Sequence, residues 1–169
     1  ASTITHVLYE LAQNQDIQSR LKEELDSHLD GLDEHSDDYH ETVMGKIIFL
    51  DAVIKETLRK YPPLVRLERR VGVDGYRLGG VSLDKDLTVD ICTLAVHYCS
   101  DYYTEPECFN PDRFMPENKH LLVPYTFLPF GQGPRNCIGM RFAYQEIKLC
   151  LAKIVPQFRF TLPEGAPAK

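Results

Sequence analysis

The chain has 169 residues, 43% of them hydrophobic and 26% charged, which suits a globular protein with one core. A formal net charge of −6 argues against a surface built for nucleic acid or anionic membrane, since both want clustered Lys and Arg. No apolar run approaches the ~20 residues that span a bilayer. The cysteines (Cys92, Cys99, Cys108, Cys137 and Cys150) are odd in number and show no C-x-x-C spacing, which fits a reducing compartment better than a disulfide framework.

"ASTITHVLYELAQN" has helical periodicity from its first residue, with Ile4, Val7, Leu8 and Leu11 on one side. No capping residue precedes it, so the expectation is a piece of something longer. This helix should yield near Asn14, which would cap a second helix carrying Ile17, Leu21 and Leu25. Residues 30–41, "DGLDEHSDDYHE", are acidic and nearly free of apolar side chains, as in a solvated loop. His28, His35 and His40 lack the spacing and partners of a tight metal site. From about Met44 a third helix is expected through "IIFLDAVIKETLRKYPP", with Leu50, Val53, Ile54 and Leu58 inward and Pro62 and Pro63 ending it.

The pattern then changes. Short alternating runs separated by Asp74-Gly75, Gly79-Gly80 and Asp84 predict strands and hairpins. "SDYYTEPECFNPDRFMPENKH" predicts an ordered meander, "CIGMRFAYQEIKLCLAKIV" a long buried helix, and "FRFTL" a strand. The expected fold is mainly α with small β-sheets (α+β), in one domain: helical 1–62, β-rich 64–93, meander and cysteine loop 100–137, long helix 137–155.

The stretch "PFGQGPRNCIGMRFA" concentrates backbone control around one thiol. Gly131 and Gly133 permit tight bends, Pro134 stiffens the turn, and Cys137 stands where a helix begins. A helix N-terminus and nearby Arg135 favour a thiolate, which serves as a metal ligand or a nucleophile; a buried cysteine acting as a small hydrophobe is the third reading. A cysteine-phosphatase loop is discarded, because it needs its arginine farther from the cysteine than Arg141 stands from Cys137. Glu56 and Arg59 share a helix face. Exposed, they form a weak local pair; buried, they need more partners, and Arg113 is a candidate third member. Arg66, Arg69 and Arg70 form either a solvated face or forks for a carboxylate ligand.

Together these residues resemble the cytochrome P450 family. "FGQGPRNCIG" matches its cysteine-loop signature F-x-x-G-x-R-x-C-x-G through Phe130, Gly133, Arg135, Cys137 and Gly139. "ETLR" matches E-x-x-R and "NPDRF" matches P-x-R-F, in the family's order. The chain is similar to the C-terminal third of an animal microsomal, steroid- or drug-oxidising member. The resemblance implies that Cys137 is the proximal thiolate ligand of the iron of haem b, whose electron donation favours O–O cleavage. It implies that Phe130, Gly131 and Gly139 lie around that ligand, with loop N–H groups on the sulfur. Arg135 and Arg69 would pair with the haem propionates, while Glu56, Arg59 and Arg113 would form a structural triad. Pro63, Leu64 and Val65 would line the substrate pocket.

The implied activity is a monooxygenase that inserts one oxygen atom from O2 into a small apolar substrate. Its electron donor would be an NADPH-dependent flavoprotein reductase, or cytochrome b5; basic residues such as Arg141 and Lys148 would either meet that acidic partner or form an ordinary solvated surface. No nucleic-acid partner is expected. The place would be the cytosolic face of the endoplasmic reticulum membrane, held by an N-terminal anchor outside this chain. The family's oxygen-activating acid–alcohol pair would fall upstream of Ala1, so Thr3 and Thr5 are not its substitutes and no catalytic residue is named. Asp112 stands where glutamate is more usual, and Tyr98 where arginine is frequent. The alternative is a catalytically inactive truncated fragment, at most a haem-binding remnant.

Overall fold

The first apolar stripe closes as α1 (Ser2–Gln13), burying Val7 and Leu11. The structure is a computed structural model describing residues 1–166. α2 (Gln15–Leu29) follows with Leu21 and Leu25 buried. Asn14 stands between the two helices as expected, but its side chain does not cap α2: Nδ2 donates backward, 2.8 Å to the carbonyl of Glu10.

Two helical boundaries differ from the sequence expectation. Residues 37–41, read as loop, begin α3 (Asp37–Gly45). Ser36 caps it by accepting from the Tyr39 amide at 3.1 Å, and Asp37 and Asp38 lie at its positive end, where acidic charge is favourable. The expected helix from Met44 is therefore divided, and α4 (Ile48–Lys60) starts afresh after Lys46 and Ile47. Its new N-terminus is capped from another helix, since the Phe49 amide donates to both carboxylate oxygens of Glu24 on α2, at 3.0 and 3.2 Å.

α4 is the axis of the molecule. Phe49, Leu50, Ala52, Val53, Ile54 and Leu58 are buried around most of its circumference, against α1, α2 and α6 (Met140–Ile154). A helix apolar on so many sides has to be surrounded. Buried Glu10 ties α1 to its end, accepting from Lys60 Nζ at 2.9 Å and from the Tyr61 hydroxyl.

Two antiparallel two-stranded sheets follow. β1 (Leu67–Arg70) pairs with β4 (Thr88–Ile91), Leu67 opposite Ile91, while β2 (Tyr76–Leu78) and β3 (Val81–Leu83) meet across Gly79-Gly80. A short α5 (Thr93–His97) then leads into the meander, which contains 3-10 turns at Pro111–Phe114, Pro116–Leu121 and Gly133–Arg135. The first of these packs against α4. The expected strand "FRFTL" is instead a single extended segment held by side chains: Gln15 and Gln18 each donate to the Phe160 carbonyl at 2.9 Å, and Gln18 Oε1 accepts from its amide at 2.8 Å. Helices thus predominate, with small antiparallel sheets beside them, as the mixed α+β reading expects.

Candidate functional site

Glu56 and Arg59 lie one turn apart on α4, and both side chains are fully buried. Arg59 donates from Nε and Nη2 to the two Glu56 oxygens at 2.7 and 2.9 Å. The other guanidinium hydrogens go to carbonyls: His97 at 2.9 Å, Pro106 at 2.8 Å and Cys108 at 3.4 Å. Glu56 Oε1 also accepts from the Asn110 amide at 2.9 Å and from Arg113 Nε at 3.4 Å. A buried pair is tolerated only when its remaining donors and acceptors are matched, and here the meander matches them. Burial would lower the Arg59 pKa, but the Glu56 hydrogen bonds and charge outweigh it and raise the pKa above the ordinary arginine value. Arg113 donates onward from Nη2 to the Glu105 carbonyl at 2.9 Å, so the cluster fixes the first part of the meander, from Glu105 to Arg113. Asp112 lies outside it, paired with Arg20 of α2 at 2.7 Å.

His97 is buried beside this cluster. Its Nδ1 is 2.9 Å from the Arg59 carbonyl, and its Nε2 accepts from the Leu128 amide at 2.9 Å. A carbonyl only accepts and an amide only donates, so the ring must be neutral with its proton on Nδ1. Burial agrees, pushing its pKa down to about 4. The sequence reading passed over His97; its only signal was an imidazole between an apolar helix stretch and the meander. Tyr98 lies on the same cluster, its hydroxyl donating to the Lys60 carbonyl at 2.9 Å.

From Leu128 the chain enters the cysteine loop. The Gly131 amide donates to the Leu128 carbonyl at 3.1 Å, and the Cys137 amide closes the loop on the Phe130 carbonyl at 2.8 Å. Gly131 (φ 70°) and Gly133 (φ 80°) occupy the left-handed region, where a side chain would be strained. Cys137 precedes α6 instead of opening it, and its thiol is exposed, which removes the buried-hydrophobe reading. Gly139 lies against that thiol: a Cβ there would be 3.9 Å from Sγ. No hydrogen bond reaches Sγ among the described residues. Half-buried Phe130 packs on Tyr144 of α6 with ring centres 5.3 Å apart, and Ile138 is fully exposed.

β1 runs beside this loop. Leu67 Cδ1 lies 3.8 Å from where a Cβ on Gly131 would stand, and Arg69, two residues along the strand, shares the Leu67 side. Arg66 is drawn to Glu68 and Asp90, and Arg70 to Asp86, whereas Arg69 donates only to the Glu68 carbonyl. Neither Arg69 nor exposed Arg135 has a carboxylate partner among the described residues. Pro63, Leu64 and Val65 are exposed between α4 and β1.

Lys148 is not the surface cation expected. It is buried on α6, with Nζ 3.1 Å from Asp51 and 2.9 Å from the Met44 carbonyl, while Arg141 is exposed. His35 is exposed, His28 bonds its own helix through the Glu24 carbonyl, and His40 meets Gln145. No cluster of His, Cys, Asp and Glu able to hold a metal ion occurs among the described residues. What the site offers is a single exposed thiol, apolar neighbours and two arginines free of carboxylates. That set fits a flat apolar ring bearing a thiophilic metal and anionic groups.

The comparisons agree on one family. Residues 1–169 match the family model described as Cytochrome P450. Similar proteins include Cytochrome P450 3A11 of Mus musculus, 44% identical over 160 residues, which covers 95% of this chain and 31% of that protein. Cytochrome P450 3A41 of Mus musculus is 45% identical over the same shares of the two chains. Cytochrome P450 3A2 of Rattus norvegicus is 44% identical, again over 95% of this chain and 31% of its own length. The chain therefore spans about a third of the length of the curated relatives it matches.

Proposed function

The chain belongs to the cytochrome P450 family, and from that premise we propose that the full-length protein carrying it is a haem-thiolate monooxygenase. It would transfer one oxygen atom of O2 to an apolar organic substrate and reduce the other to water, with two electrons from a flavoprotein reductase. The observation that carries this reading is the exposed Cys137 thiol on a loop closed through Phe130 and tied to a buried, fully partnered Glu56–Arg59 pair.

Bound there, haem b supplies the oxygen chemistry. The residues of this chain hold and shield it. Cys137 gives the thiolate, and Gly131 and Gly139 leave room for a macrocycle to approach the backbone. With haem bound, Phe130 would pack beside the sulfur and help to screen it from water. Arg135 and Arg69 take the propionates as charge-assisted pairs, which their lack of carboxylate partners supports. Glu56, Arg59 and Arg113 brace the meander that leads to the loop. Pro63, Leu64 and Val65, exposed and mostly apolar, suit a substrate pocket wall. Exposed Arg141 suits an acidic reductase surface. We place the whole protein at the cytosolic face of the endoplasmic reticulum; no helix of the described residues is long and apolar enough to cross a membrane.

A second reading concerns the 169-residue chain alone: no turnover, and at most a haem-binding remnant. Ile138, Leu64 and Val65 stand in solvent, so the chain by itself leaves apolar surface uncovered beside the cysteine loop and after α4. The test is the reduced, carbon-monoxide-bound absorption spectrum of the haem-loaded full-length protein, its Cys137→Ala variant and the chain alone. A thiolate-type Soret band lost in Cys137→Ala is the expected result. Haem uptake unchanged by that substitution, with a histidine-type band, would overturn the assignment. The same band from the chain alone, without turnover, would define it as a remnant.

A further inference from the structure

We propose that His97 is a positioning residue for Cys137, carrying the geometry of the buried Glu56–Arg59–Arg113 cluster into the cysteine loop through its hydrogen bond to Leu128. The proposal rests on the reading of Cys137 as the iron ligand.

The connection is an unbroken chain of short bonds. Arg59 is held on Glu56 by two of them, and its carbonyl accepts from His97 Nδ1 at 2.9 Å. His97 Nε2 accepts from the Leu128 amide at 2.9 Å. The Leu128 carbonyl accepts from Gly131 at 3.1 Å, and the carbonyl of Phe130, inside that turn, accepts from Cys137 at 2.8 Å. From the Arg59 carbonyl onward, every group in this path is a backbone amide, a backbone carbonyl or the one imidazole. His97 is thus where a side chain couples α4 to the loop.

The imidazole itself has little freedom. Its own carbonyl accepts from Arg59 Nη1 at 2.9 Å, so His97 and Arg59 clamp each other in both directions. The ring stacks on Phe127 with centres 5.8 Å apart, and Phe127 packs at a tilt against Phe114 at 4.9 Å, which restricts its plane. Leu128 precedes Pro129, whose missing N–H leaves the Leu128 amide as the first donor that can anchor the turn from outside. A buried amide left unpaired there would be costly, so the loop settles where His97 accepts it.

The two ring nitrogens can be separated by substitution. In His97→Gln, Oε1 reaches the place of Nε2 and can still accept from Leu128, while the donor to Arg59 is lost. In His97→Asn, the short amide reaches only the place of Nδ1, so it can still donate to Arg59 but not accept from Leu128. Both would be made in the full-length haem-loaded protein, with two readouts: hydrogen exchange at the Leu128 and Gly131 amides, and the fraction of reduced carbon-monoxide complex showing the thiolate-type band. His97→Gln is expected to stay within about twofold of the parent in both. His97→Asn is expected to speed Leu128 exchange about tenfold and to convert a clear fraction of the complex to the non-thiolate band.

A role confined to supporting Arg59 predicts the opposite order. Asn equal to or better than Gln would therefore overturn the proposal, as would two indistinguishable variants or failure of both to fold. A parent protein lacking a Cys137-dependent thiolate band would instead sink the haem-thiolate reading, an outcome told apart by the parent spectrum alone.

Discussion

Arg59 shows how much one side chain can organise. Its buried guanidinium satisfies Glu56 on its own helix and three carbonyls on segments far away in the chain. Truncating one member of such a pair leaves the other charge buried without compensation, which costs ~3–5 kcal/mol. The spacing of Glu56 and Arg59 was readable in the sequence. Their carbonyl and amide partners were not, because backbone groups of His97, Pro106, Cys108 and Asn110 carry no signal in residue identity. His97 was missed for the same reason: its two partners are backbone atoms. It also gives the molecule a pH dependence. In the folded protein its pKa lies at about 4, below the ordinary 6.5 expected once unfolded. Between those values the unfolded chain takes up a proton that the native imidazole refuses, so stability falls as pH drops. The slope should approach ~1.4 kcal/mol per pH unit and flatten near pH 4. Urea midpoints measured from pH 7 to pH 4 on the parent and on His97→Gln should diverge over this window. Parallel curves would refute the assignment.

Among the elements, α4 depends on a neighbour for its start. Nothing adjacent in sequence caps Ile48–Lys60; the carboxylate of Glu24, on α2, takes the Phe49 amide. Glu24→Ala should cost ~1 kcal/mol and lower the unfolding midpoint, with Glu24→Gln recovering most of the loss because one amide oxygen can still accept. An unchanged midpoint in Glu24→Ala would show that water replaces the cap freely. The strongly periodic parts of α1, α2, α4 and α6 were legible because burial of an apolar stripe decides them. The exceptions have local causes. α3 was hidden by its acid-rich first turn, which looks solvated in sequence yet suits a helix N-terminus behind Ser36. "FRFTL" alternates as a strand should, but the described structure brings it side-chain amides instead of a neighbouring strand. Lys148 read as surface charge, since the sequence does not reveal that Asp51 waits opposite.

For the molecule as a whole, the apolar side chains left in solvent set the behaviour of the chain by itself. Ile138, Phe142, Leu64, Val65, Leu121 and Tyr125 are all strongly exposed. Leu64 with Val65, and Ile138 near Phe142, set large apolar groups close together in sequence, and contiguous apolar surface is what promotes association. The 169-residue chain on its own should therefore associate with rising concentration and bind a hydrophobic dye, seen by light scattering and fluorescence. A dye-silent monomer would contradict this. The family was legible in three short motifs, while the exposure of these apolar side chains was not.

The wide separation of Arg59 from its partners also sets an order of events during biosynthesis. Its carbonyl acceptors come 38, 47 and 49 residues later in the chain, and the Asn110 amide reaches Glu56 across 54. At ~5–20 residues per second a ribosome needs several seconds to deliver them. Until then the newly made helix carries an acid and a base that have only each other. Cys137 is added later still, after the last of these acceptors. The meander can therefore complete the Glu56–Arg59 pair only after α4 has been made, and the cysteine loop follows it.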